Sequence, residues 1–182
     1  MKRTIVILAA LAAVLSASAA FAADVMLTSV GQSPDVMMVR VVLRKMKIEA
    51  DSEPLLKPDG LGGAKVLVAV VGGSSKGLGA AGIDKEQELD RVAAVLKTAR
   101  DKGLKVLVMH IGGEGRRGAL SDAFIEAATP LGHRIIVVDG GNDDGIFEKS
   151  AGKDVKILTA PNVNGTAGPL GETLSEWGIS AK

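Results

Sequence analysis

The sequence predicts an α/β fold, a three-layer sandwich in which helices cover both faces of a mainly parallel, five-stranded sheet. Five short runs are continuously apolar, a pattern typical of parallel strands that are buried on both faces. Helical patterns lie between these runs, and regular alternation of strand and helix is typical of folds with right-handed crossovers. We therefore expect a flavodoxin-like or Rossmann-like topology, and the size of the domain favours the flavodoxin-like strand order 2-1-3-4-5.

Each strand and helix is predicted from a local signal. The predicted strands are residues 25–30, 65–71, 105–111, 134–138 and 156–159. The predicted helices are residues 35–48, 84–102, 121–128, 144–150 and 168–177. Ser33 is the expected N-cap of the first helix, with Pro34 at its first position, and Asp84 is the expected N-cap of the second. Residues 53–63 are rich in proline and glycine and predict the longest loop.

The first 22 residues have the pattern of a secretory signal peptide. A basic start (MKRT) precedes an apolar run, and Ala20-Phe21-Ala22 fits the small-residue cleavage site. An uncleaved membrane anchor is the alternative, because the apolar run approaches the length that spans a bilayer. The small residues before Ala23 favour cleavage. We therefore expect a periplasmic or secreted protein in which residues 23–182 form one α/β domain with no stable membrane anchor.

Charge and composition exclude several classes of function. The chain has 22 basic and 21 acidic residues. Since Lys2 and Arg3 lie in the signal peptide, the exported domain is nearly neutral and lacks the basic surface of a nucleic-acid-binding protein. The absence of cysteine excludes thiol catalysis and cysteine metal ligands. Aromatic residues make up only 2% of the chain, so stacking surfaces for sugars or bases are not expected.

The predicted ligand site lies at the carboxyl edge of the sheet, where open α/β sheets bind their ligands. Glycine and polar residues follow the strands at this edge, and glycine lets backbone N–H groups come close to a bound molecule. The loops at the opposite edge are rich in lysine and lack this pattern. The candidate ligand-binding residues are Gln32, Ser33, Gly72, Gly73, Ser74, Ser75, Lys76, His110, Gly112, Gly113, Glu114, Arg116, Arg117 and Asn142.

Residues 112–118 are the most informative of these loops because Arg116 and Arg117 are adjacent. Two guanidiniums on a glycine-rich loop can bind a carboxylate or a phosphate through paired hydrogen bonds. Lys76 and the glycine N–H groups of its loop are expected to converge on the same place. The alternative is a solvated surface pair, or an ion pair of one arginine with Glu114. We therefore expect a small anionic ligand.

No nucleotide or metal motif is strong, and the cofactor is left unknown. Residues 77–82 match G-x-G-x-x-G, but five residues separate them from the preceding strand and no acidic ribose partner is evident. Lys76 is followed by glycine where a Walker loop needs serine or threonine. His110 and His133 lie far apart in the sequence, and the acidic run at residues 139–144 does not have the spacing of an EF-hand. We expect no dedicated metal site.

A serine-dependent hydrolase is the alternative function. Residues 73–77 match G-x-S-x-G, and Ser75, His110 and Asp139 are expected at the ends of three strands of one sheet. A nucleophile elbow needs a helix directly after its serine. The glycines of residues 77–82 predict instead that the helix begins only after Asp84, and Ser75 is then a hydroxyl for capping or binding.

Three blocks of the sequence, GQSPDV, VVGGSSKGLGAAGID and MHIGGEGRRGALSD, resemble those of a family of exported bacterial proteins with Rossmann-like domains of unknown function. The likeness covers nearly all of residues 23–182. This resemblance implies a small secreted Rossmann-like domain and carries no known activity. A third interpretation, a protein-interaction module of an envelope system, stays open beside ligand binding and hydrolysis.

Overall fold

A computed structural model describes residues 23–181, so the predicted signal peptide lies outside the described residues. One sheet of six parallel strands runs through the domain in the order β2-β1-β3-β4-β5-β6. The strands are β1 Val25–Val30, β2 Ala50–Ser52, β3 Val66–Val71, β4 Lys105–His110, β5 Arg134–Val138 and β6 Lys156–Ala160. The predicted α/β fold class with a parallel sheet is confirmed.

The sheet has one strand more than the five that we predicted. Strand β2 has only three residues, and it pairs with β1 at the edge through the register Val25 to Ala50. Its sequence, Ala-Asp-Ser, has no apolar run, because an edge strand of this length buries little surface. With β2 counted, the sheet order begins 2-1-3-4-5. The prediction numbered five strands without β2, and its order 2-1-3-4-5 therefore placed the run 25–30 beside the run 105–111. In the structure, β3 lies between these two runs.

Within residues 23–181, six α-helices connect or follow the strands. They are α1 Asp35–Lys45, α2 Ser75–Ala81, α3 Lys85–Asp101, α4 Ala119–Ala128, α5 Ile146–Ser150 and α6 Ala167–Glu176. Four of them agree with predicted helices to within a few residues, and α5 is a shorter form of the predicted 144–150. Asp84 caps α3 as expected, and it forms a capping box with Gln87.

Helix α2 contradicts the prediction that no helix begins before Asp84. The Ser74 hydroxyl caps this helix by accepting a hydrogen bond of 3.0 Å from the backbone N–H of Gly77. Gly82 ends it in the left-handed conformation, with φ of 68°. Buried Leu78 anchors α2 on the core. A good cap, a good stop and one apolar contact therefore offset the low helix propensity of Gly77 and Gly79.

Helices cover both faces of the sheet, which makes the predicted three layers. The side chains of β3 alternate between the faces, and both sets are fully buried. Leu67, Ala69 and Val71 belong to the core cluster that contains the buried faces of α3 and α4. Val66, Val68 and Val70 belong to the cluster that contains those of α1 and α6. Burial on both faces explains why the strands are continuously apolar.

Residues 53–63 form the predicted long loop, but two of its side chains are part of the core. Leu56 and Leu61 are buried against the cluster that contains α3, and Pro58–Leu61 form a turn of 3-10 helix. No helix within residues 23–181 has the length and apolar character needed to cross a membrane.

Candidate functional site

The connections after β1 and β3 leave the sheet toward opposite faces. The chain passes from β1 into α1 on one face, and from β3 through α2 into α3 on the other. In open α/β sheets, the carboxyl edge between two such strands is the usual place for a ligand. The loops 31–34 and 72–74 meet at this point, and both contain predicted site residues.

Direct contacts between the two loops close the crevice at its centre. Gln32 and Gly73 form an isolated antiparallel bridge, and the N–H of Ser74 donates to the carbonyl of Gly31 at 2.8 Å. Gly77 lies so close to the Gln32 carbonyl oxygen that a Cβ would overlap it. Any bound molecule must therefore lie to one side of this bridge.

A buried ion pair on α3 holds the first loop in place. Glu88 is fully buried, and its carboxylate accepts hydrogen bonds from the Gly31 N–H at 2.9 Å and from the Gln32 side chain at 3.0 Å. Arg91 donates to Glu88 at 2.7 Å and to the carbonyl oxygens of Ser29 and Leu56. This network explains how Gln32 keeps φ of 57°, a conformation unusual for a residue other than glycine.

One open cleft of 340 Å³ lies on the side of β4, and we call it the arginine cleft. Residues 115–121 line it together with Gly73 and Ser75. Helix α4 begins in this cleft after Gly118, which has no side chain to cap the first N–H groups. The uncapped helix end and the guanidinium of Arg116 are the groups of this cleft that can attract an anion.

Arg117 is fully used within the fold. Its guanidinium forms a bidentate pair with Asp144 at 2.8 and 3.1 Å and donates to Asp122 at 2.8 Å and to the carbonyl of Gly141 at 2.7 Å. These hydrogen bonds, that with Asp144 above all, raise the pKa of Arg117 further above its ordinary value. Arg117 therefore ties the loop after β4 to the loop after β5.

Arg116 is much less constrained than its neighbour. Its side chain is 43% exposed, and its guanidinium lies 3.7 Å from the Oδ1 atom of Asp35, beyond hydrogen-bond distance. The stem of Arg116 passes directly over Gly112, where a Cβ would overlap it. The missing side chain at Gly112 is what lets Arg116 reach Asp35.

Asp35 lies beside the candidate site, outside the residues that line either cleft, and the sequence did not point to it. It is 7% exposed, and its Oδ2 atom is buried without a hydrogen-bond partner among the described residues. A Cβ on Gly72 or Gly112 would lie 3.3 Å from Oδ2, so the carboxylate rests on the ends of β3 and β4. The one sequence signal was its place in the first turn of α1, which an ordinary helix start also explains.

A second cleft, of 570 Å³, lies on the other side of the bridge, and we call it the lysine cleft. Gln32, Ser33, Ser74 and Lys76 line it, together with residues of α1 and α2 such as Met37. Eight of the fourteen predicted residues thus line a cleft, four in each, and the other six line neither. Lys76 lines the lysine cleft, whereas Arg116 lines the arginine cleft.

A family model described as a domain of unknown function, DUF6305, matches residues 22–174. The chain belongs to the DUF6305 family. The match extends from before β1 into α6 and includes both clefts, and the family brings no activity with it. No curated protein matches the sequence.

His110 of this DUF6305 domain is buried beneath the site. Its Nδ1 lies 3.0 Å from the carbonyl oxygen of Val71, and its Nε2 lies 3.2 Å from that of Gly113. Both ring nitrogens therefore face backbone acceptors. Ser75, by contrast, is exposed at the first position of α2, and its side chain makes no hydrogen bond with the described residues. These contacts give the Ser75 hydroxyl no base, although α2 does follow it directly as an elbow would require.

The remaining predicted residues of the DUF6305 domain shape its loops. The Asn142 side chain accepts from the N–H of Phe147 and donates to Glu148, and it thereby fixes the start of α5. Gly113 has φ of 58° and lies against the carbonyl of Asp139. Asp139 and Glu114 are exposed, and they line neither cleft.

No group of three or more metal-ligating side chains occurs within residues 23–181. The two histidines lie at opposite edges of the sheet, since His110 ends β4 and His133 precedes β5. Nδ1 of His133 accepts a hydrogen bond of 2.9 Å from the N–H of Val106. Burial, with the nearby charges of Arg100 and Lys105, lowers the pKa of His133.

A depression of 460 Å³ lies at the amino edge of the sheet, away from the strand ends that carry the loops. Arg40, Arg44 and Lys47 line it together with Glu49 and Asp51. The two carboxylates offset much of the basic charge, and no glycine loop brings backbone N–H groups there. We therefore take the carboxyl edge as the candidate site.

Proposed function

We propose that this DUF6305 protein is exported and binds a small anionic molecule in the arginine cleft. The observation that carries the proposal is Arg116, whose exposed guanidinium has only a long contact with Asp35. The uncapped N-terminus of α4 and the hydroxyl of Ser75 line the same cleft and add hydrogen-bond donors. Arg117 serves the same site indirectly, because it holds the loop that carries Arg116.

Titration of the domain with inorganic phosphate, sulfate and small carboxylates tests this proposal. We expect Arg116→Ala to weaken binding about 10- to 150-fold, which is the effect of losing one charge-assisted hydrogen bond. Added sodium chloride should weaken binding as well. Arg44→Ala is the matched control, because it removes the same charge from the amino edge. It should leave the affinity unchanged.

Two further variants separate the alternatives. Lys76→Ala should have little effect, whereas a large loss with Lys76→Ala and none with Arg116→Ala would move the anion to the lysine cleft. Ser75→Ala should weaken binding less than Arg116→Ala does. Loss of an esterase activity in Ser75→Ala alone would support the hydrolase interpretation instead.

The export proposal rests on the signal-peptide pattern of residues 1–22. Mass spectrometry of the exported protein should find an N-terminus at or near Ala23, and an intact Met1 on a membrane-bound product would contradict it. Native mass spectrometry of the protein from its own periplasm should also reveal a retained small ligand.

An envelope protein partner is the second candidate. Three large apolar side chains, Met37, Met38 and Val41, are exposed together on α1, and such a patch is typical of an interaction surface. If a partner covers it, Met38→Glu should abolish a specific cross-link from this face in cells while binding of anions stays unchanged. An unchanged cross-linking pattern would contradict this candidate.

A further inference from the structure

Asp35 is a buried carboxylate that lacks the hydrogen bonds such a group requires. Its Oδ2 atom has no partner among the described residues, and Arg116, the cation beside it, is too distant from Oδ1 to donate a hydrogen bond. Buried ionised groups are normally paired and hydrogen-bonded, and each exception calls for an explanation. Glu88 holds the loop 31–34 through its hydrogen bonds, whereas the carboxylate of Asp35 makes no such hydrogen bond among the described residues.

The neighbouring groups do not supply the missing donors. The backbone N–H of Asp35 donates to Ser33 Oγ at 3.3 Å, so that contact serves the loop and not the carboxylate. Gly72 and Gly112 leave no side chain between Oδ2 and the strand ends. The carboxylate therefore lies between the ends of β3 and β4, next to the residues that line the arginine cleft, and is short of donors, with the partly exposed guanidinium of Arg116 beside it.

This arrangement restricts which anions can bind to Arg116. An anion that draws the guanidinium into the arginine cleft leaves Asp35 without the one cation that residues 23–181 place within 4 Å of it. It also adds a second negative charge close to a buried one, and both effects oppose binding. A ligand that brings its own hydrogen-bond donor to Asp35 avoids both costs.

From this we infer that Asp35 and Arg116 form a two-point receptor for a small acid that carries a hydroxyl or ammonium group beside its acid group, as 2-hydroxy and 2-amino acids do. The acid group binds to Arg116, and the neighbouring donor binds to the carboxylate of Asp35. This inference rests on the proposed anion site and names its ligand class. The 3.7 Å gap between the two side chains and the exposure of Arg116 support such an exchange of partners.

Matched pairs of small acids test the inference. The probes are acetate against glycolate and glycine, and propionate against lactate and alanine, titrated into the wild-type domain and followed by NMR. We expect the acid with a donor to bind about 10-fold or more tightly than its partner without one. In Asp35→Asn, we expect this preference to fall below about 3-fold and the binding of acetate to strengthen, because the buried negative charge is gone.

The outcomes separate this inference from the proposed function. If acetate and propionate bind as tightly as their partners, or if Asp35→Asn keeps the preference, the inference is overturned. The anion site itself still stands in that case, provided that Arg116→Ala weakens all the acids. If none of these acids binds to the wild-type domain, the inference fails, and the proposed anion site fails with it only if phosphate and sulfate do not bind either.

A second variant guards against a folding defect in Asp35→Asn. Gly112→Ala places a methyl group onto the stem of Arg116 and 3.3 Å from Oδ2 of Asp35, and it keeps the Asp35 carboxylate and its charge. We expect it to displace the guanidinium and to weaken both members of each pair by a similar factor. Unchanged affinities in Gly112→Ala would show that Arg116 does not bind the acids from the position over Gly112, and would overturn the inference.

Discussion

Two buried carboxylates of the described chain, Glu88 and Asp35, lie beside an arginine at the carboxyl edge of the sheet, and the two pairs are built in opposite ways. In the pair Glu88–Arg91 the closest N–O distance is 2.7 Å, and further hydrogen bonds reach two loops. In the pair Asp35–Arg116 the distance is 3.7 Å, and one buried carboxylate oxygen has no partner. Both carboxylates are buried, so burial alone does not distinguish a structural group from a functional one.

The difference between the two pairs lies in which of them has hydrogen-bonding groups left for a proposed ligand. The hydrogen-bonding groups of Glu88 and Arg91 are occupied by contacts within the fold. A ligand could bind to them only by breaking the hydrogen bonds that hold the loop 31–34. Asp35 and Arg116 keep donors and acceptors that nothing in the described chain uses. The same contrast holds between the adjacent arginines, since Arg117 is tied to Asp122 and Asp144 while Arg116 is not.

The largest effect on stability is expected from breaking the hydrogen-bonded pair Glu88–Arg91. Arg91→Ala leaves the fully buried Glu88 without its cation, and such a loss costs about 3–5 kcal/mol. For a domain of this size the melting temperature should fall by about 6–20 °C. Urea and thermal unfolding, followed by circular dichroism, measure both quantities.

Lys97→Ala is the control for Arg91→Ala. Lys97 belongs to the same helix and pairs with Asp101, but both side chains are exposed. Its loss should therefore change the free energy of unfolding by less than about 0.5 kcal/mol. If Arg91→Ala were no more destabilising than Lys97→Ala, the contrast between the two buried pairs would be wrong.

A smaller loss of stability is expected when a side chain in α2 presses on the loop 31–34, which Glu88 holds in place. Gly77→Ala puts a Cβ onto the Gln32 carbonyl oxygen, which the network around Glu88 keeps from moving, and overpacking of this kind costs about 1–3 kcal/mol. Gly79→Ala, in the same helix, meets nothing within 4 Å and should stabilise α2 by up to about 1 kcal/mol. Equal unfolding midpoints for the two variants would show that the loop can yield.

The pair Asp35–Arg116 should contribute little to stability. Arg116→Ala removes a half-exposed cation with a long contact, and we expect a change below about 1 kcal/mol. Asp35→Asn removes a buried charge that lacks a hydrogen bond and should be neutral or slightly stabilising. Unfolding in urea measures both variants. A loss above about 2 kcal/mol in either would assign Asp35 and Arg116 to the fold and weaken the case for a ligand.

The layers and most elements of the fold could be predicted because burial determines the sequence of each strand. Continuous apolar runs identified β1 and β3–β6, and Asp84 identified the start of α3. Strand β2 could not be found in this way, because three edge residues carry no apolar signal. Helix α2 was missed because its glycines outweighed, in the sequence, a cap at Ser74 and a core contact at Leu78.

The place of the candidate site in the fold could be predicted, but its contacts could not. The glycine loops lie at the carboxyl edge of the sheet as predicted, and Arg116 was among the residues named. Arg116 and Arg117 are adjacent in the sequence and look equivalent there. Only the structure shows that Arg117 is fixed by Asp122 and Asp144, which lie further along the chain. Asp35 was missed because an acidic residue in the first turn of a helix is common, and its burial depends on Gly72 and Gly112.

The smallest effect concerns Asp144, which reports how firmly Arg117 is committed. The hydrogen bond from Arg117, together with one from the N–H of Ile146, lowers the pKa of Asp144 from 3.8 to about 2. Because the folded-state pKa lies below the unfolded value, the pair stabilises the fold above about pH 4, and this contribution is lost as the pH falls through about 2. A carboxyl-carbon NMR titration should therefore find the midpoint of Asp144 near 2. Arg117→Ala should return it toward 3.8, whereas Arg116→Ala should leave it where it is. A wild-type midpoint near 3.8 would mean that Arg117 is as free as Arg116, and both arginines would then be available to an anion.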